Sequence, residues 1–429
     1  MSSQSIGRLP GPEYPTGPGR YQLEGQIQDK LNVKPFLTAG LTVIVVGSVL
    51  ISACGGSGVP ISNTRVPSIA GQNASFDNVE IDQAAHRLYA TDRTNRGVDV
   101  FDISKARAKY VKTIAMGSAP NGLALAPDIG HLFVGTASGS VTVIDTTTET
   151  IVDQVVTGGS GADLLDYGSA RQRLYVSNAS DGTITSIDTT TDKVKAHFVI
   201  GSYQLEQPRF NPADGMVYVT SPTADSLFRV DPNDGLVKYI FSLNGCQPTG
   251  LAINPTSDQA LIVCKTFVMS FNLTTGKSQK FAQVLGGDIV NYDAKADQFF
   301  VGSPHITKPS VVGIFGGNPI AYYSSVDTNA HGNSAAYDET NNIVYTPNLL
   351  PDKAGVSSFR LPDKPQVLPP WLATLTTFGF YGALIVVLGL LILFISRSAD
   401  PARRPAPKVK PVKGEPAPAV ASATAKRAT

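Results

Sequence analysis

Residues 131–159 of the chain read HLFVGTASGSVTVIDTTTETIVDQVVTGG. Three short runs in this stretch, Leu132–Gly135, Val141–Asp145 and Ile151–Thr157, alternate or cluster β-branched and aromatic residues, as β-strands do. Gly, Ser, Asp and Thr fill the gaps between the runs, and these residues favour tight turns. The stretch therefore predicts three short strands that follow one another through tight turns.

Near-copies of this unit recur through the middle of the chain. The second strand of each copy carries an apolar or aromatic pair, and the pairs recur at intervals of roughly forty residues, the length of a four-stranded propeller blade. Seven such pairs predict an all-β fold, a seven-bladed β-propeller. The pairs are Leu88-Tyr89, Leu132-Phe133, Leu174-Tyr175, Val217-Tyr218, Leu261-Ile262, Phe299-Phe300 and Val344-Tyr345.

The third strand of the first five copies ends in an acidic or amide residue followed by a polar turn. An Asp or Asn at such a position can accept hydrogen bonds from backbone amides two residues on and reverse the chain into a fourth strand. We therefore expect these residues to be structural rather than metal-binding or catalytic. They are Asp102, Asp145, Asp188, Asp231 and Asn272.

The seventh copy lacks a fourth strand, because Pro362–Pro370 leads directly into an apolar segment. Residues 65–71 (RVPSIAG) are similar to residues 112–117 (KTIAMG), the outer strand of the first copy. Pairing residues 65–71 with the last blade would close the ring and remove its exposed sheet edges. The sequence thus predicts a propeller over residues 65–362 that is closed by its N-terminal strand.

The third copy contains LYVSN at residues 174–178, followed by GTITSID at residues 182–188. Together with LFVG and SVTVID in the second copy, these segments resemble the YVTN family β-propeller repeat. The resemblance implies a seven-bladed propeller of the kind common in secreted and surface proteins of bacteria and archaea. It implies no single activity.

The N-terminal region contains a candidate membrane segment. Residues 1–35 are polar and rich in Pro and Gly, which predicts disorder. Phe36–Ala53 is an uncharged run of 18 residues, just long enough to cross a hydrocarbon core of roughly 30 Å. The segment ends in LISAC, which resembles a bacterial lipobox with Cys54 as the lipidated residue. Two alternatives stay open: a cleaved signal peptide with lipid on Cys54, or an uncleaved signal-anchor helix. Residues 54–64 would then form a flexible tether.

A second candidate span follows the propeller. Residues 363–370 form a Pro-containing linker, and Trp371–Ile395 is an uncharged run of 25 residues, which predicts a transmembrane helix. The tail at residues 396–429 is rich in Pro, Ala and basic residues, which predicts a disordered cytoplasmic segment. Both ends place the propeller on the extracytoplasmic side of the cytoplasmic (inner) membrane.

Composition and motifs exclude several functions. A formal net charge of +1 gives no basic field for nucleic acid. The chain has no CxxCH for covalent haem, and its five histidines lack the paired spacing of a metal site. No nucleotide-binding or nucleophile-elbow motif occurs in a suitable context. We therefore predict no cofactor and no metal.

Ligands of propellers usually meet the loops that connect one blade's outer strand to the next blade's inner strand. Polar side chains in these loops could form a ring around one mouth of the axial channel and hold a small polar ligand. The alternative is a solvated funnel whose side chains satisfy loop amides. The candidates are Asn121, Asp163, Glu206, Arg209, Gln247, Asp288, His331 and Asn333.

Two cysteines lie near the same end of the fifth copy. Cys246 precedes its first strand and Cys264 ends its second, so a hairpin would bring them close together. An oxidising compartment would permit a disulfide. The alternative is a pair of buried thiols.

These observations lead to competing functional hypotheses. The first is a membrane-tethered binding or scaffold module for protein partners in the cell envelope, which includes an accessory subunit of a membrane complex. The second is a lactonase-like hydrolase acting on a small polar substrate in the funnel, which would need a converging histidine, arginine and acid. His331, Arg209 and Glu206 supply those residue types.

Overall fold

The structure, a computed structural model, describes residues 58–69, 71–201, 204–305, 309–365 and 387–393. Within these ranges the chain forms 28 strands in seven four-stranded antiparallel sheets. Each sheet is one blade of a β-propeller, so the predicted blade number is confirmed. Six blades take their four strands from consecutive sequence, and the seventh combines both ends of the domain.

In blades 1 to 6 the first strand lies innermost and the strands follow outward in sequence order, and in blade 7 the N-terminal strand β1 takes the outermost place. Blade 1 contains β2 (Phe76–Asp82), β3 (Arg87–Asp92), β4 (Gly97–Asp102) and β5 (Lys109–Ala115). Blade 2 contains β6 (Pro120–Ala126), β7 (His131–Thr136), β8 (Ser140–Asp145) and β9 (Thr150–Val156). Blade 3 contains β10 (Ala162–Gly168), β11 (Arg173–Asn178), β12 (Thr183–Asp188) and β13 (Lys193–Val199).

The remaining blades follow the same order. Blade 4 contains β14 (Pro208–Asn211), β15 (Met216–Ser221), β16 (Ser226–Val230) and β17 (Val237–Ser242). Blade 5 contains β18 (Leu251–Asn254), β19 (Gln259–Val263), β20 (Val268–Asn272) and β21 (Ser278–Phe281). Blade 6 contains β22 (Val290–Asp293), β23 (Gln298–Ser303), β24 (Val311–Gly317) and β25 (Ile320–Asp327). Blade 7 contains β26 (Ala336–Asp338), β27 (Ile343–Asn348), β28 (Gly355–Arg360) and β1 (Ser62–Arg65).

The ring closes where β1 pairs with β28, with Thr64 opposite Val356. Closure by an N-terminal strand is as predicted, but the strand is Ser62–Arg65 rather than residues 65–71, so the propeller starts within the predicted tether. Pro67–Ile69 forms a short 3₁₀ helix instead. Proline suits the first position of such a turn because its missing N–H needs no partner.

Neighbouring blades pack through side chains of their second and third strands. One position of the second strand carries a large apolar or aromatic residue in every blade, and its exposed fraction is at most 1%. The strand pairing places Leu261 rather than Ile262 at this position in blade 5, one residue from the predicted alignment. The column consists of Tyr89, Phe133, Tyr175, Tyr218, Leu261, Phe300 and Tyr345.

The predicted turns after the third strands are confirmed in the hydrogen bonds. The Asp145 carboxylate accepts the backbone N–H groups of Thr147 and Thr148 at 2.9 and 2.7 Å. Asp102, Asp188, Asp231 and Asn272 accept backbone N–H groups two or three residues on. Because their oxygens are engaged in reversing the chain, these residues have structural roles.

The predicted membrane segments lie largely outside the described residues. Phe36–Ala53 and Cys54 fall outside them, and of Trp371–Ile395 only residues 387–393 are described, as helix. Within the described ranges no helix has both the length and the apolarity to cross a membrane. Both membrane segments therefore stay predictions.

Candidate functional site

The innermost strands of the seven blades surround the propeller axis and bring one set of polar residues to one mouth of the channel. Hydrogen bonds link neighbouring members of this set. Asn333 Nδ2 lies 3.5 Å from Asp77 Oδ1, and Thr249 Oγ1 donates to the carbonyl of Asp288 at 3.2 Å. The set has seven members, one from each blade, and we call it the mouth ring. The mouth ring is Asp77, Asn121, Asp163, Glu206, Thr249, Asp288 and Asn333.

The mouth ring contains four carboxylates and one neighbouring cation. The guanidinium of Arg93, from the hairpin between β3 and β4, donates to Asp77 Oδ2 and to Asn121 Oδ1, both at 2.9 Å. Asn121 Nδ2 in turn donates to the carbonyl of Ala162 at 3.0 Å. Arg93 is thus held by blades 1 and 2, and among the described acids it forms an ion pair with Asp77, while its charge partly offsets the rise in the pKa of Asp163 and Asp288.

The other three carboxylates of the mouth ring are partly buried, and their negative charges repel one another. Burial, together with the Asp77 carboxylate, raises the pKa of Asp163 to about 7. Burial and the charges of Asp77 and Asp163 raise the pKa of Asp288 to about 7. Burial and the carboxylates of Asp163 and Asp288 raise the pKa of Glu206 to about 8. Near neutral pH these three carboxyl groups can therefore bind either a proton or a cation.

The structure brings together four of the predicted site residues, namely Asn121, Asp163, Glu206 and Asp288, and places Asn333 beside them. Sequence reasoning missed Asp77, Thr249 and Arg93. Asp77 precedes Asn121 by one repeat interval, so extending the repeat to the entrance of blade 1 would have identified it. Arg93 lies in the hairpin between β3 and β4, whereas the candidate residues were predicted in the loops that connect one blade's outer strand to the next blade's inner strand.

Two of the predicted site residues, Gln247 and His331, interact with neighbouring loops rather than with the mouth ring. Gln247 is exposed, and its backbone N–H donates to Asp225 Oδ1 at 2.7 Å. The backbone N–H of His331 donates to Ser310 Oγ at 3.0 Å, and His331 Nδ1 is buried without a hydrogen-bond partner among the described residues. Neither side chain forms a hydrogen bond or ion pair with the mouth ring in the described part of the chain.

Arg209 belongs to the opposite end of the channel, which corrects its predicted position in a mouth loop. Because β14 begins at Pro208, Arg209 lies inside the strand rather than before it. Its Nη1 lies 3.4 Å from Asp166 Oδ1 and its Nη2 donates to Asn291 Oδ1 at 3.1 Å. Arg209 is three positions after Glu206, which corresponds to about 10 Å of extended chain.

The same three-residue step holds for every blade and defines a second set of axial residues, which we call the inner ring. It lines a cavity of about 360 Å³ at the channel end away from the mouth ring. Burial, partly offset by Arg209, raises the pKa of Glu80 in this ring to about 7. The inner ring is Glu80, Ala124, Asp166, Arg209, Ala252, Asn291 and Ala336.

Gln207 directly precedes β14, between the two rings along the chain, and ties three blades together. Its Nε2 donates to the carbonyl of Val290 at 3.1 Å, and its Oε1 accepts the backbone N–H of Leu251 at 2.8 Å. The side chain is buried, with an exposed fraction of 1%. Blade 4 thus reaches blades 5 and 6 at a level between the mouth ring and the inner ring.

Cys246 and Cys264 are joined by a disulfide whose Cα atoms are 4.7 Å apart. Cys264 follows the last residue of β19, at the position of a column of buried polar residues that ends the second strand in the other blades. In blade 5 the disulfide occupies that position. The column in the other six blades is Asp92, Thr136, Asn178, Ser221, Ser303 and Asn348.

The hydrolase hypothesis needs His331, Arg209 and Glu206 to converge. In the described residues no hydrogen bond or ion pair joins any two of them, and Arg209 is at the other channel end. Across the same ranges no three His, Cys, Asp or Glu side chains are arranged to hold a metal ion.

Comparisons with known proteins identify the fold. The chain resembles a solved structure titled Kuenenia stuttgartiensis hydrazine synthase, with a TM-score of 0.56, 14% identity, and coverage of 68% of this chain and 95% of that one. It also resembles a chain of a structure titled mitotic checkpoint complex, with a TM-score of 0.57, 12% identity, and coverage of 71% and 94%. No protein-family model and no curated protein sequence matches the chain. These likenesses show a β-propeller fold.

Proposed function

We propose that this protein is a membrane-tethered, extracytoplasmic binding module whose mouth ring receives a basic segment of a protein partner in the cell envelope. The observation that carries the proposal is the mouth ring itself. Four carboxylates from four blades face one guanidinium, that of Arg93, which is already paired with Asp77. Above about pH 8, where Asp163, Glu206 and Asp288 are mostly ionised, the excess of negative charge on this rigid ring favours a positively charged partner and accelerates its association.

Several features support the proposed location. The disulfide between Cys246 and Cys264 is typical of a compartment that is oxidising. The uncharged segments Phe36–Ala53 and Trp371–Ile395 supply the proposed tethers, with lipid on Cys54 as an alternative N-terminal anchor. We place the chain among bacterial proteins similar to the YVTN repeat family on the segments LYVSN and GTITSID.

The proposal is tested by binding a fluorescent oligolysine peptide to the full-length protein in mild detergent. The wild-type chain should bind the peptide, and binding should weaken as ionic strength rises, because exposed charges are screened within about 10 Å at 0.1 M salt. The variant Asp163→Asn/Glu206→Gln/Asp288→Asn should lose at least tenfold in affinity. The same variant should fail to retain an envelope partner that co-purifies with the wild-type chain.

A matched control removes three exposed acids of the propeller that are not members of the mouth ring, as Asp128→Asn/Asp153→Asn/Asp234→Asn. This control should bind oligolysine as the wild type does. Equal losses in both triple variants would mean that the peptide senses net charge only and would refute the mouth ring as the binding site. Turnover of a small lactone by the wild-type chain, abolished in the mouth variant, would favour the hydrolase.

A further inference from the structure

The cavity at the far end of the channel is separate from the mouth ring and has a different chemical character. Its volume of about 360 Å³ lies at the lower end of the range of small-molecule sites. Blades 2, 5 and 7 contribute only alanine to the inner ring, as Ala124, Ala252 and Ala336, so three of its seven positions are small and apolar. Charged and polar groups come from blades 1, 3, 4 and 6.

Most of these polar groups are already paired within the protein. Arg209 contacts both Asp166 and Asn291. Asp166 Oδ2 also accepts the backbone N–H of Phe210 at 2.7 Å, and Asn291 Nδ2 donates to the carbonyl of Ala335 at 3.1 Å. The single guanidinium of the cavity is therefore committed to holding blades 3, 4 and 6 together, and it is not available to an anionic ligand.

Glu80 is the exception. Its carboxylate lines the cavity and accepts no hydrogen bond from another described residue. A third carboxylate, Asp293, lies at the cavity rim and accepts the backbone N–H of Ala296. Three acids thus face one arginine in the cavity, and only the Glu80 carboxylate has both oxygens free. An unpaired, half-buried carboxylate is a costly arrangement that a cationic ligand would relieve.

Aromatic residues form the outer part of the cavity wall. The hydroxyls of Tyr167, Tyr292 and Tyr337 donate to Asp128, Asp297 and Asn342 in neighbouring turns, at 3.0, 2.9 and 3.0 Å. With these hydroxyls engaged, the three tyrosines contribute ring surface to the cavity, together with Phe210 and Phe300. Aromatic surface beside a carboxylate suits an organic cation, which gains apolar contact and cation–π attraction.

We propose that this cavity is a second binding site, for a small organic amine in its ammonium form. The Glu80 carboxylate pairs with the ammonium group, and the tyrosine rings contact the apolar part of the amine. An organic amine is favoured over a metal ion because the described residues contain no group of three side chains placed to ligate one. The inference is independent of the proposed function, since the two sites lie at opposite channel ends.

The test is calorimetric titration of the full-length wild-type protein at pH 8 with three ligands of similar shape: benzylamine, benzyl alcohol and benzoate. Benzylamine should bind at least tenfold more tightly than the alcohol, and benzoate should not bind. Glu80→Gln, which keeps the shape of the side chain, should weaken benzylamine binding at least tenfold while leaving the melting temperature near that of the wild type. Ala124→Leu, which narrows the cavity, should weaken benzylamine as well.

Several outcomes would overturn the site. They are equal binding of benzylamine and benzyl alcohol, preferential binding of benzoate, no binding of benzylamine at millimolar concentration, or unchanged binding in Glu80→Gln. The ligand series on the wild-type chain decides the question even if a variant fails to fold. The mouth variant Asp163→Asn/Glu206→Gln/Asp288→Asn should bind benzylamine normally. If it loses the amine while Glu80→Gln retains it, the amine occupies the mouth ring instead.

Discussion

Arg209 and Asp166 form an ion pair between the inner strands of blades 4 and 3, with 3.4 Å between Nη1 and Oδ1. The same guanidinium reaches Asn291 in blade 6. One side chain therefore links three blades at the axis, where no backbone ladder connects them. Both partners are largely buried, with side-chain exposed fractions of 16% and 21%.

Replacing the arginine should therefore destabilise the propeller. In Arg209→Gln the Asp166 carboxylate loses its countercharge while still partly buried, and we expect a loss of about 2 kcal/mol in the free energy of unfolding. Urea denaturation at pH 7.5 measures the loss. Lys295→Gln, which breaks the exposed ion pair with Glu339, is the control and should cost less than about 1 kcal/mol. Equal costs in the two variants would contradict the axial role of Arg209.

A buried acid in blade 1 should make stability depend on pH. Burial and the charge of Asp92 raise the pKa of Asp99 to about 8. The folded state therefore keeps a proton that the unfolded chain releases near pH 4, so this stability is complete below about pH 4 and is lost as pH rises toward 8. We expect the free energy of unfolding to fall over this range, by up to about 1.4 kcal/mol per pH unit for one coupled proton.

Asp99→Asn should make this decline shallower, because the amide imitates the protonated acid. Burial also raises the pKa of Glu80, Asp163, Glu206 and Asp288, and these acids maintain the rest of the decline. Denaturation of the wild type and the variant at a series of pH values between 5 and 9 measures the two slopes. Asp102→Asn, at the end of the same strand, is the control. Hydrogen bonds from Ser104 lower the pKa of Asp102, so its contribution is lost on acidification and its removal should not flatten the decline. A wild-type profile that rises from pH 5 to 8 would refute the argument.

The fold could be predicted from the repeat, because each blade shows the same local alternation of side chains independently of the others. The register of individual strands was the feature of the fold that the sequence predicted least well. In blade 5 the residues around Leu261 and Ile262 are all apolar, so alternation could not decide which of the two points into the blade interface. Strand pairing decides it, with Leu261 opposite Ser270.

The positions of residues along the channel axis were harder to predict, because each position depends on where the inner strand of that blade begins. Arg209 and Glu206 are three residues apart in sequence and were expected at one mouth, yet the start of β14 at Pro208 places them in different rings. Glu80 and Asp166 follow from the same three-residue step, but only once one ring is known. The pairing of Arg93 with Asp77 joins the β3–β4 hairpin to strand β2, and strand periodicity carries no information about it.

The disulfide of blade 5 should contribute strongly to stability. It closes a loop with a sequence separation of 18 residues, and removing such a link from the unfolded chain is expected to cost about 3 kcal/mol. Cys246→Ala/Cys264→Ala should therefore have a lower urea midpoint than the wild type. Dithiothreitol should lower the wild-type midpoint and leave that of the variant unchanged. A wild-type midpoint that is insensitive to reductant would contradict this role.

Closure of the ring rests on the four-residue strand β1 and on one polar cluster. Asn63 Oδ1 accepts hydrogen bonds from Asn348 Nδ2 at 3.0 Å and from Ser357 Oγ at 2.7 Å. Asn348 and Ser357 are buried, so Asn63→Leu would leave two buried donors without this acceptor, and we expect a loss of about 2 kcal/mol in the free energy of unfolding.

Loosening β1 should also expose the edge of β28, and exposed edges pair with other chains. Asn63→Leu should therefore associate in a concentration-dependent way when mildly denatured, as measured by light scattering at urea concentrations below the unfolding midpoint. Ser62→Ala, an exposed change in the same strand, should keep wild-type stability within about 0.5 kcal/mol and stay dispersed. If Asn63→Leu matches Ser62→Ala in both measurements, backbone pairing with β28 is sufficient for closure and the polar cluster is dispensable.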